Sequence, residues 1–176
     1  MTDYNHDHNQ PGTVRELTAE TDIQEAFPVL RELRSHLEPE EMEALYEQMH
    51  EEGYRLFGRY DTAGDLVAVA GVTLGTNFYL GRHVFVHDLV TTEARRSEGH
   101  GKVLLTYIHA WAADRDCDTV ELESGLWREE AHRFYEQLDY EKYCYSFKYE
   151  VTGDESAAAR PTGETTESSD SREDDS

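Results

Sequence analysis

The sequence predicts a fold of the α/β (α+β) class, in which strands and helices share one domain. Segments with apolar residues at every second position are interspersed with segments whose apolar residues recur every three or four positions. A glycine-rich turn at residues 96–102 separates an apolar strand pattern from an amphipathic helix pattern. The chain has 176 residues, which is enough for one domain with a proper core.

The N-terminal third of the chain has one strand pattern followed by two helix patterns. Residues 13–17 are predicted to form the strand. Asp22 is a suitable cap for a helix over residues 23–37, and Pro28 inside that helix predicts a kink or a later start. Pro39 suits the first turn of the second helix, where a backbone N–H would have no helical partner.

The later elements follow from the same two periodicities, with glycine-containing turns between them. In chain order they are a β-hairpin over 54–74, a strand over 84–90, a helix over 101–113, a strand over 119–123, a helix over 129–138 and a final strand over 140–151. Residues 1–12 are predicted to be a disordered leader and residues 152–176 an acidic disordered tail, because both are polar and lack apolar periodicity.

The net charge of −22 restricts the classes of partner. Residues 151–176 hold eight acidic and two basic residues, so most of the negative charge lies on residues 1–150. Lysine is rare, with three residues against 13 arginines. This pattern suggests adaptation to a salt-rich, halophilic cytosol, in which screening suppresses self-repulsion; an ordinary acidic protein is the alternative. The charge disfavours nucleic acid and anionic membranes as partners.

Targeting features are lacking in the sequence as given. No apolar run reaches the 18 residues of a membrane-spanning helix, and the polar N-terminus lacks the apolar segment of a signal peptide. We therefore expect a cytoplasmic protein. Cys117 and Cys144 are then expected to be free thiols or packing residues rather than a disulfide.

The glycine turn is the most informative segment for function. A helix that begins in such a turn directs unpaired backbone N–H groups and the positive end of its dipole at one point, so it can hold a phosphate or pyrophosphate. Gly99 and Gly101 let the backbone approach an anion closely. A dinucleotide-binding fingerprint would need a third glycine, and a P-loop would need glycine in place of Arg96 and Ser or Thr in place of Val103.

The pattern Arg96-x-x-Gly99-x-Gly101 instead resembles the pyrophosphate-binding motif of the GNAT superfamily of acyl-CoA-dependent N-acetyltransferases. A second family signature, Ala-x-x-Phe-Tyr-x-x-x-Gly-Phe/Tyr, is similar to residues 131–140. The matching residues there are Ala131, Phe134, Tyr135 and Tyr140. Asp139 replaces the usual glycine, but aspartate tolerates left-handed backbone, so the turn can form. The resemblance covers about residues 13–151.

The resemblance implies a GNAT-like mixed, mostly antiparallel sheet flanked by helices, in which a splayed pair of parallel strands binds acetyl-CoA. In the family, backbone groups at the end of the fourth strand contact the pantetheine arm, and the glycine turn holds the pyrophosphate. The implied cofactor-binding residues are Leu89, Val90, Thr91, Arg95, Arg96, Ser97, Glu98, Gly99, His100, Gly101, Lys102 and Ser124. The basic residues among them would add positive charge; a merely solvated loop is the alternative.

The resemblance also assigns catalytic roles. Tyr135 would be the general acid that protonates the departing CoA thiolate, for which a phenol with a reference pKa of about 10 is suited. Its helical spacing alone would make it a core tyrosine. The base stays open: His87 has a reference pKa of about 6.5, Asp88 adjoins it, and Glu123 with Glu121 on the fifth strand are rivals. Each could also be an ordinary ion-pair residue.

The implied function is transfer of an acetyl group from acetyl-CoA to a primary amine by direct attack, with no metal and no covalent enzyme intermediate. A non-catalytic acyl-CoA-binding or regulatory domain is the alternative. Polyamines, amino acids, aminoglycoside-like amines and protein lysines all stay open as acceptors, and the resemblance is compatible with a homodimer.

Overall fold

The computed structural model describes residues 12–151, so the predicted leader and the acidic tail lie outside the described residues except for Gly12. The elements are β1 (Thr13–Leu17), α1 (Glu20–Leu33), α2 (Pro39–Glu51), β2 (Arg55–Tyr60), β3 (Leu66–Asn77), β4 (Gly81–Thr91), a 3-10 turn (Glu93–Arg95), α3 (His100–Ala113), β5 (Thr119–Leu122) and α4 (Glu129–Glu136). Within 12–151, no helix is both long and apolar enough to cross a bilayer.

The strands form a five-stranded sheet in the order β1-β2-β3-β4-β5. The first three pairings are antiparallel, and β4 pairs with β5 in parallel. The predicted mixed, mostly antiparallel sheet is therefore confirmed. Parallel pairing requires a crossover, which α3 supplies between β4 and β5.

Helices cover both faces of the sheet, as the alternation within β2 shows. Leu56 belongs to the core cluster that also contains the buried residues of α1 and α2. The next residue, Phe57, points to the other face, where its ring lies 5.2 Å from that of Trp111 in α3. Successive strand residues face opposite ways, so both can be buried only because α1 and α3 lie on different sides.

Strand β4 departs from regular pairing at one residue. Gly71 in β3 pairs with Asp88, whereas the next residue, Val72, pairs with Val86. His87 is therefore the extra residue of a β-bulge, and a bulge changes which face the following side chains occupy. Pairing of β4 with β5 covers only His83 to Val86, so the last part of β4 extends past its parallel neighbour.

Two expectations about α1 are wrong. The helix begins at Glu20 with Ala19 as N-cap, and it ends at Leu33 rather than at residue 37. Asp22 is not the N-cap, because it lies in the first turn, where both of its carboxylate oxygens accept hydrogen bonds from Arg15, at 2.7 and 2.9 Å. The helix also continues through Pro28. Burial of its apolar face against the sheet compensates for the hydrogen bond that proline removes.

The predicted final strand over 140–151 is also wrong, since these residues have no regular secondary structure. Alternating apolar residues favour a strand only if a neighbouring backbone completes the hydrogen bonds. Within the described residues no strand pairs with this segment, and the side chains of Tyr145, Phe147 and Tyr149 are exposed.

The chain divides into two compact units, one ending at Glu123 and the other beginning at Ser124. The first unit holds the sheet with α1, α2 and α3. The second holds α4, preceded by a turn in which a ring nitrogen of His132 contacts the Gly125 carbonyl at 2.9 Å. After α4, Asp139 has a φ of 63°. The expected left-handed turn at this aspartate is confirmed.

Candidate active site

The backbone between β4 and α3 forms a glycine turn at residues 96–102, which leads into the N-terminus of α3. After the 3-10 turn, Ser97 and Gly99 adopt left-handed conformations with φ of 64° and 85°, and Gly99 is the N-cap of α3. The first helical hydrogen bond runs from the Val103 N–H to the Gly99 carbonyl, at 3.1 Å. The N–H groups of the first helical residues, His100 to Lys102, therefore precede the helix's own hydrogen bonding and are directed out of its N-terminus.

The four basic side chains of this turn fall into two groups. Arg95 is partly buried and is bound by two carboxylates: its guanidinium donates to Asp61 at 2.6 Å and to Glu98 at 2.8 Å. His100 is also turned inward, with 2% exposure and a ring nitrogen 3.2 Å from the same Glu98 carboxylate. These contacts raise the pKa of Arg95 and lower the pKa of Glu98, in both cases mainly through the hydrogen bonds of the ion pair.

Arg96 and Lys102 form the second group, because both are exposed. The Arg96 guanidinium donates to the Thr91 carbonyl at 3.3 Å and contacts Glu32 of α1 at 3.5 Å. Of the basic residues that the sequence places at this turn, Arg96 and Lys102 are therefore the ones positioned to meet a ligand from solvent.

The end of β4 offers backbone groups on one edge. Leu89, Val90 and Thr91 pair with β3 on one side. On the other side pairing with β5 stops at Val86, and within 12–151 no strand takes up the edge beyond it. This edge leads directly into the glycine turn, so an extended chain could pair with it through β-like hydrogen bonds and reach the N-terminus of α3.

His87 lies on the bulge and keeps an exposed surface. One ring nitrogen is 2.8 Å from the Thr73 hydroxyl, and the ring lies 4.7 Å from that of Phe85 and 5.9 Å from that of Tyr54. Partial desolvation lowers the pKa of His87 below its usual value, although the nearby Asp88 carboxylate opposes this shift. The neutral imidazole is therefore favoured at neutral pH, as a general base requires.

Asp88 is buried, with 7% exposure, and both carboxylate oxygens are engaged. One accepts from Arg34 at 2.8 Å and the other from the Tyr54 hydroxyl at 2.8 Å. Arg34 also donates to the backbone carbonyl of His87, at 2.9 Å. We call this cluster of Arg34, Tyr54 and Asp88 the bulge clamp. It connects the bulge in β4 to the residue that follows α1 and to the residue that precedes β2.

The two glutamates at the end of β5 differ in their surroundings. Glu121 faces His83 at 3.6 Å. Glu123 is exposed, and its charge opposes the lowering of the His87 pKa. Of the two, Glu123 is therefore the one whose charge acts on the candidate base.

Two predicted site residues, Tyr135 and Ser124, belong to the second unit. The ring of Tyr135 makes edge contacts with those of Phe134 at 5.3 Å and Tyr140 at 5.8 Å. Burial raises the pKa of Tyr135, an effect that Arg128 opposes. Its phenol therefore keeps its proton at neutral pH. The Ser124 hydroxyl is buried and has no hydrogen-bond partner among the described residues.

Comparison with known proteins identifies the family. The model of the Acetyltransferase (GNAT) family matches residues 19–140. The chain belongs to the GNAT family of acetyltransferases. It is 34% identical over 140 residues to an uncharacterized N-acetyltransferase of Bacillus subtilis (strain 168), YhdJ, in a match that covers 78% of this chain and 98% of the relative.

Solved structures show the same fold. A putative acetyl transferase from Pyrococcus furiosus is 18% identical, with a TM-score of 0.67, and the match covers 80% of this chain and 100% of that one. An aminoglycoside N-acetyltransferase, AAC(6')-Iy, in complex with CoA is 14% identical, with a TM-score of 0.70, and the match covers 80% of this chain and 95% of that one. These likenesses show the fold; the family match and the relative from Bacillus subtilis show that this GNAT protein is an acetyltransferase, of a family that uses acetyl-CoA.

Several residues around the site of this GNAT chain were not found by sequence reasoning. Asp61, Arg34 and Tyr54 each contact a predicted site residue. The sequence indicates only that Asp61 belongs to a hairpin turn. No local pattern indicates the roles of Arg34 and Tyr54, because their partner Asp88 is more than 30 positions away. Within 12–151, no group of three His, Cys, Asp or Glu side chains could hold a metal ion.

Proposed function

We propose that this protein transfers the acetyl group of acetyl-CoA to a primary amine by direct attack. The observation that carries the proposal is the continuity of three features in 16 residues of chain, from His87 to Lys102: the bulged His87, the β4 edge that β5 leaves unpaired, and the anion-binding turn at the N-terminus of α3. A ligand with a polyanionic end and an extended arm suits this arrangement.

The residues proposed to hold acetyl-CoA differ in the groups they offer. Backbone N–H groups of Ser97 to Lys102 would face the pyrophosphate, with the exposed side chains of Arg96 and Lys102 adding positive charge. The backbone of Leu89, Val90 and Thr91 would pair with the pantetheine arm. Ser124, whose buried hydroxyl has no partner among the described residues, has an unused hydrogen-bonding group. Acetyl-CoA itself supplies the activated thioester.

The proton transfers are proposed for two residues. An amine must be neutral to attack, and His87 in its neutral form would accept the amine proton. Asp88 is then a positioning residue rather than the base, because Arg34 and Tyr54 occupy both of its oxygens. Tyr135 would donate its phenolic proton to the departing sulfur, for which the raised pKa keeps the proton available.

The test measures CoA release with a panel of amines, in dilute buffer and in molar KCl. Polyamines, amino acids, aminoglycosides and lysine peptides cover the acceptors that the sequence leaves open. Because Cys144 is exposed, a thiol reagent would also react with the protein, so the enzyme is kept far below the substrate concentration. Amine-dependent CoA release is the expected result. Binding of acetyl-CoA without turnover of any amine would contradict the proposed activity and indicate a binding domain.

The cofactor assignment is tested with Gly101→Val. A branched side chain at this first-turn position would obstruct an anion, and acetyl-CoA affinity measured by calorimetry should fall about tenfold or more. Ala110→Val is the matched control, since it places the same side chain on an exposed position of the same helix. Equal affinities for the two variants would refute the assignment of the turn.

A further inference from the structure

In the turn between β2 and β3, the two carboxylate oxygens of Asp61 have different partners. Asp61 directly follows β2, and its Oδ1 atom accepts the N–H groups of Ala63 at 2.9 Å and Asp65 at 3.0 Å. The backbone closes the same turn, with the Asp61 N–H donating to the Asp65 carbonyl at 3.0 Å. One oxygen of Asp61 is thereby fixed to a rigid hairpin turn.

The other oxygen reaches a different part of the chain. Oδ2 of Asp61 accepts from Arg95 at 2.6 Å, and the Asp61 side chain is only 9% exposed. Arg95 donates in turn to Glu98, which contacts His100, the first residue of α3. A continuous series of charged contacts therefore joins the β2–β3 turn to the N-terminus of α3.

These contacts surround backbone that needs external support. Ser97 lies between Arg95 and Glu98 and has a left-handed φ of 64°, a conformation that is unfavourable for a residue other than glycine. Such a conformation persists only where the surroundings hold it. Arg95 is bound by Asp61, which belongs to the rigid hairpin turn, and by Glu98, which immediately precedes the N-cap Gly99. These two contacts therefore restrain the backbone at Ser97.

We propose that Asp61 is a positioning residue for the anion-binding turn, acting through Arg95 to keep residues 97–102 in the conformation that presents their N–H groups. This inference rests on the proposed function of the turn as the pyrophosphate site. It assigns Arg95 a structural task in place of direct attraction of the anion, because two carboxylates already neutralise its charge.

If Asp61 acts only through its charge, removing its carboxylate should change acetyl-CoA affinity in the opposite direction from that expected if Asp61 positions the turn. Arg95 lowers the pKa of the Asp61 carboxyl, so this group is ionised at neutral pH. If only its charge mattered, removing a carboxylate near a polyanion would strengthen binding. If Asp61 holds the turn, the same change would weaken binding. The sign of the change in affinity therefore separates the two roles.

The experiment compares Asp61→Asn with Asp65→Asn in the full chain. Both changes remove one negative charge from the same turn. The exposed Asp65 contacts Asp61 through its backbone N–H, whereas Asp61 contacts Arg95 through its side chain. For Asp61→Asn we expect KM for acetyl-CoA to rise about tenfold, with kcat within about twofold of the parent. Asp65→Asn should keep the parent KM or lower it.

A truncated donor shows whether the effect is specific to the turn. Acetyl-pantetheine lacks the pyrophosphate, so its kcat/KM should be the same in Asp61→Asn and the parent protein. If both donors lose activity equally, or if acetyl-CoA binds Asp61→Asn as tightly as Asp65→Asn, the inference is overturned.

Arg95→Lys provides a second route if Asp61→Asn does not fold. It keeps the positive charge but cannot donate to both carboxylates in the same planar arrangement. We expect a raised KM for acetyl-CoA, whereas a role for Arg95 in charge attraction alone predicts an unchanged KM. Weak binding by Gly101→Val together with parent-like Arg95→Lys and Asp61→Asn would overturn only this inference. Absence of acetyl-CoA binding by the parent protein would overturn the proposed function as well.

Discussion

The bulge clamp allows a quantitative test with one atom removed. Tyr54→Phe deletes the hydroxyl that donates to Asp88 at 2.8 Å, in a side chain that is 3% exposed. A hydrogen bond to a charged group contributes about 1.5–3 kcal/mol, and its loss leaves one oxygen of a buried carboxylate without this donor. We expect the free energy of unfolding to fall by about 2 kcal/mol, which corresponds to a decrease in Tm of about 4–8 °C.

Tyr46→Phe is the matched control for this prediction. Tyr46 lies on α2 and is half-buried, and its ring contacts those of Phe27, His50 and Tyr54. The same atom is removed from a neighbouring aromatic cluster, but no carboxylate within residues 12–151 accepts a hydrogen bond from the Tyr46 hydroxyl. Its unfolding free energy, measured by urea denaturation, should change by less than about 0.5 kcal/mol.

The clamp also has a catalytic consequence that the same two variants test. Tyr54 contacts both the ring of His87 and the carboxylate of Asp88, so loosening the clamp should displace the candidate base. We expect kcat to fall in Tyr54→Phe while KM for acetyl-CoA is kept, and neither to change in Tyr46→Phe. Equal losses of stability and of kcat in the two variants would refute the reasoning.

Three further predictions concern the base, the acid and the charge. Because the pKa of His87 is lowered below its usual value of about 6.5, activity should be retained as pH falls to about 6.5 and be lost at lower pH as the imidazole gains a proton. His87→Ala should therefore depress kcat/KM most at neutral and higher pH, where the parent's imidazole is neutral, and least at low pH; a pH profile identical to the parent would rule this base out. Tyr135→Phe keeps the ring contacts but removes the proton donor, so kcat should fall about 10²–10⁴-fold with acetyl-CoA affinity unchanged. A kcat equal to that of the parent would show that Tyr135 contributes only to packing. Tm should rise between dilute and molar KCl, also after deletion of residues 153–176, because most of the −22 charge lies on residues 1–150; a flat response would contradict adaptation to salt.

Local patterns were sufficient to predict most of the fold. The order of elements from β1 to α4 follows from apolar periodicity, with Pro39 at the start of α2 and glycines at turns. These signals depend on residues close in sequence, so no tertiary information is needed. The family motif likewise located the left-handed turn before α3, because glycine at position 99 permits the φ of 85° that the N-cap adopts.

Side-chain directions depended on contacts across the fold. Strict alternation would place His87 and Asp88 on opposite faces of β4, yet both contact Tyr54 because of the bulge opposite Gly71. Gly71 also matters sterically, since an added Cβ there would overlap the Tyr54 hydroxyl. The bulge arises from the pairing of β3 with β4, which neither strand's own pattern specifies.

The sequence by itself determined which residue types lie near the turn: two glycines for the backbone and four basic side chains for charge. Only the tertiary structure decided which basic groups face solvent. Asp61, 34 positions before Arg95, binds its guanidinium, and Glu98 contacts both Arg95 and the buried His100. A cation that is already paired with carboxylates attracts an anion less, and the fold supplies one of these carboxylates from a distant turn, so charge counted along the sequence overstated the attraction available to an anion.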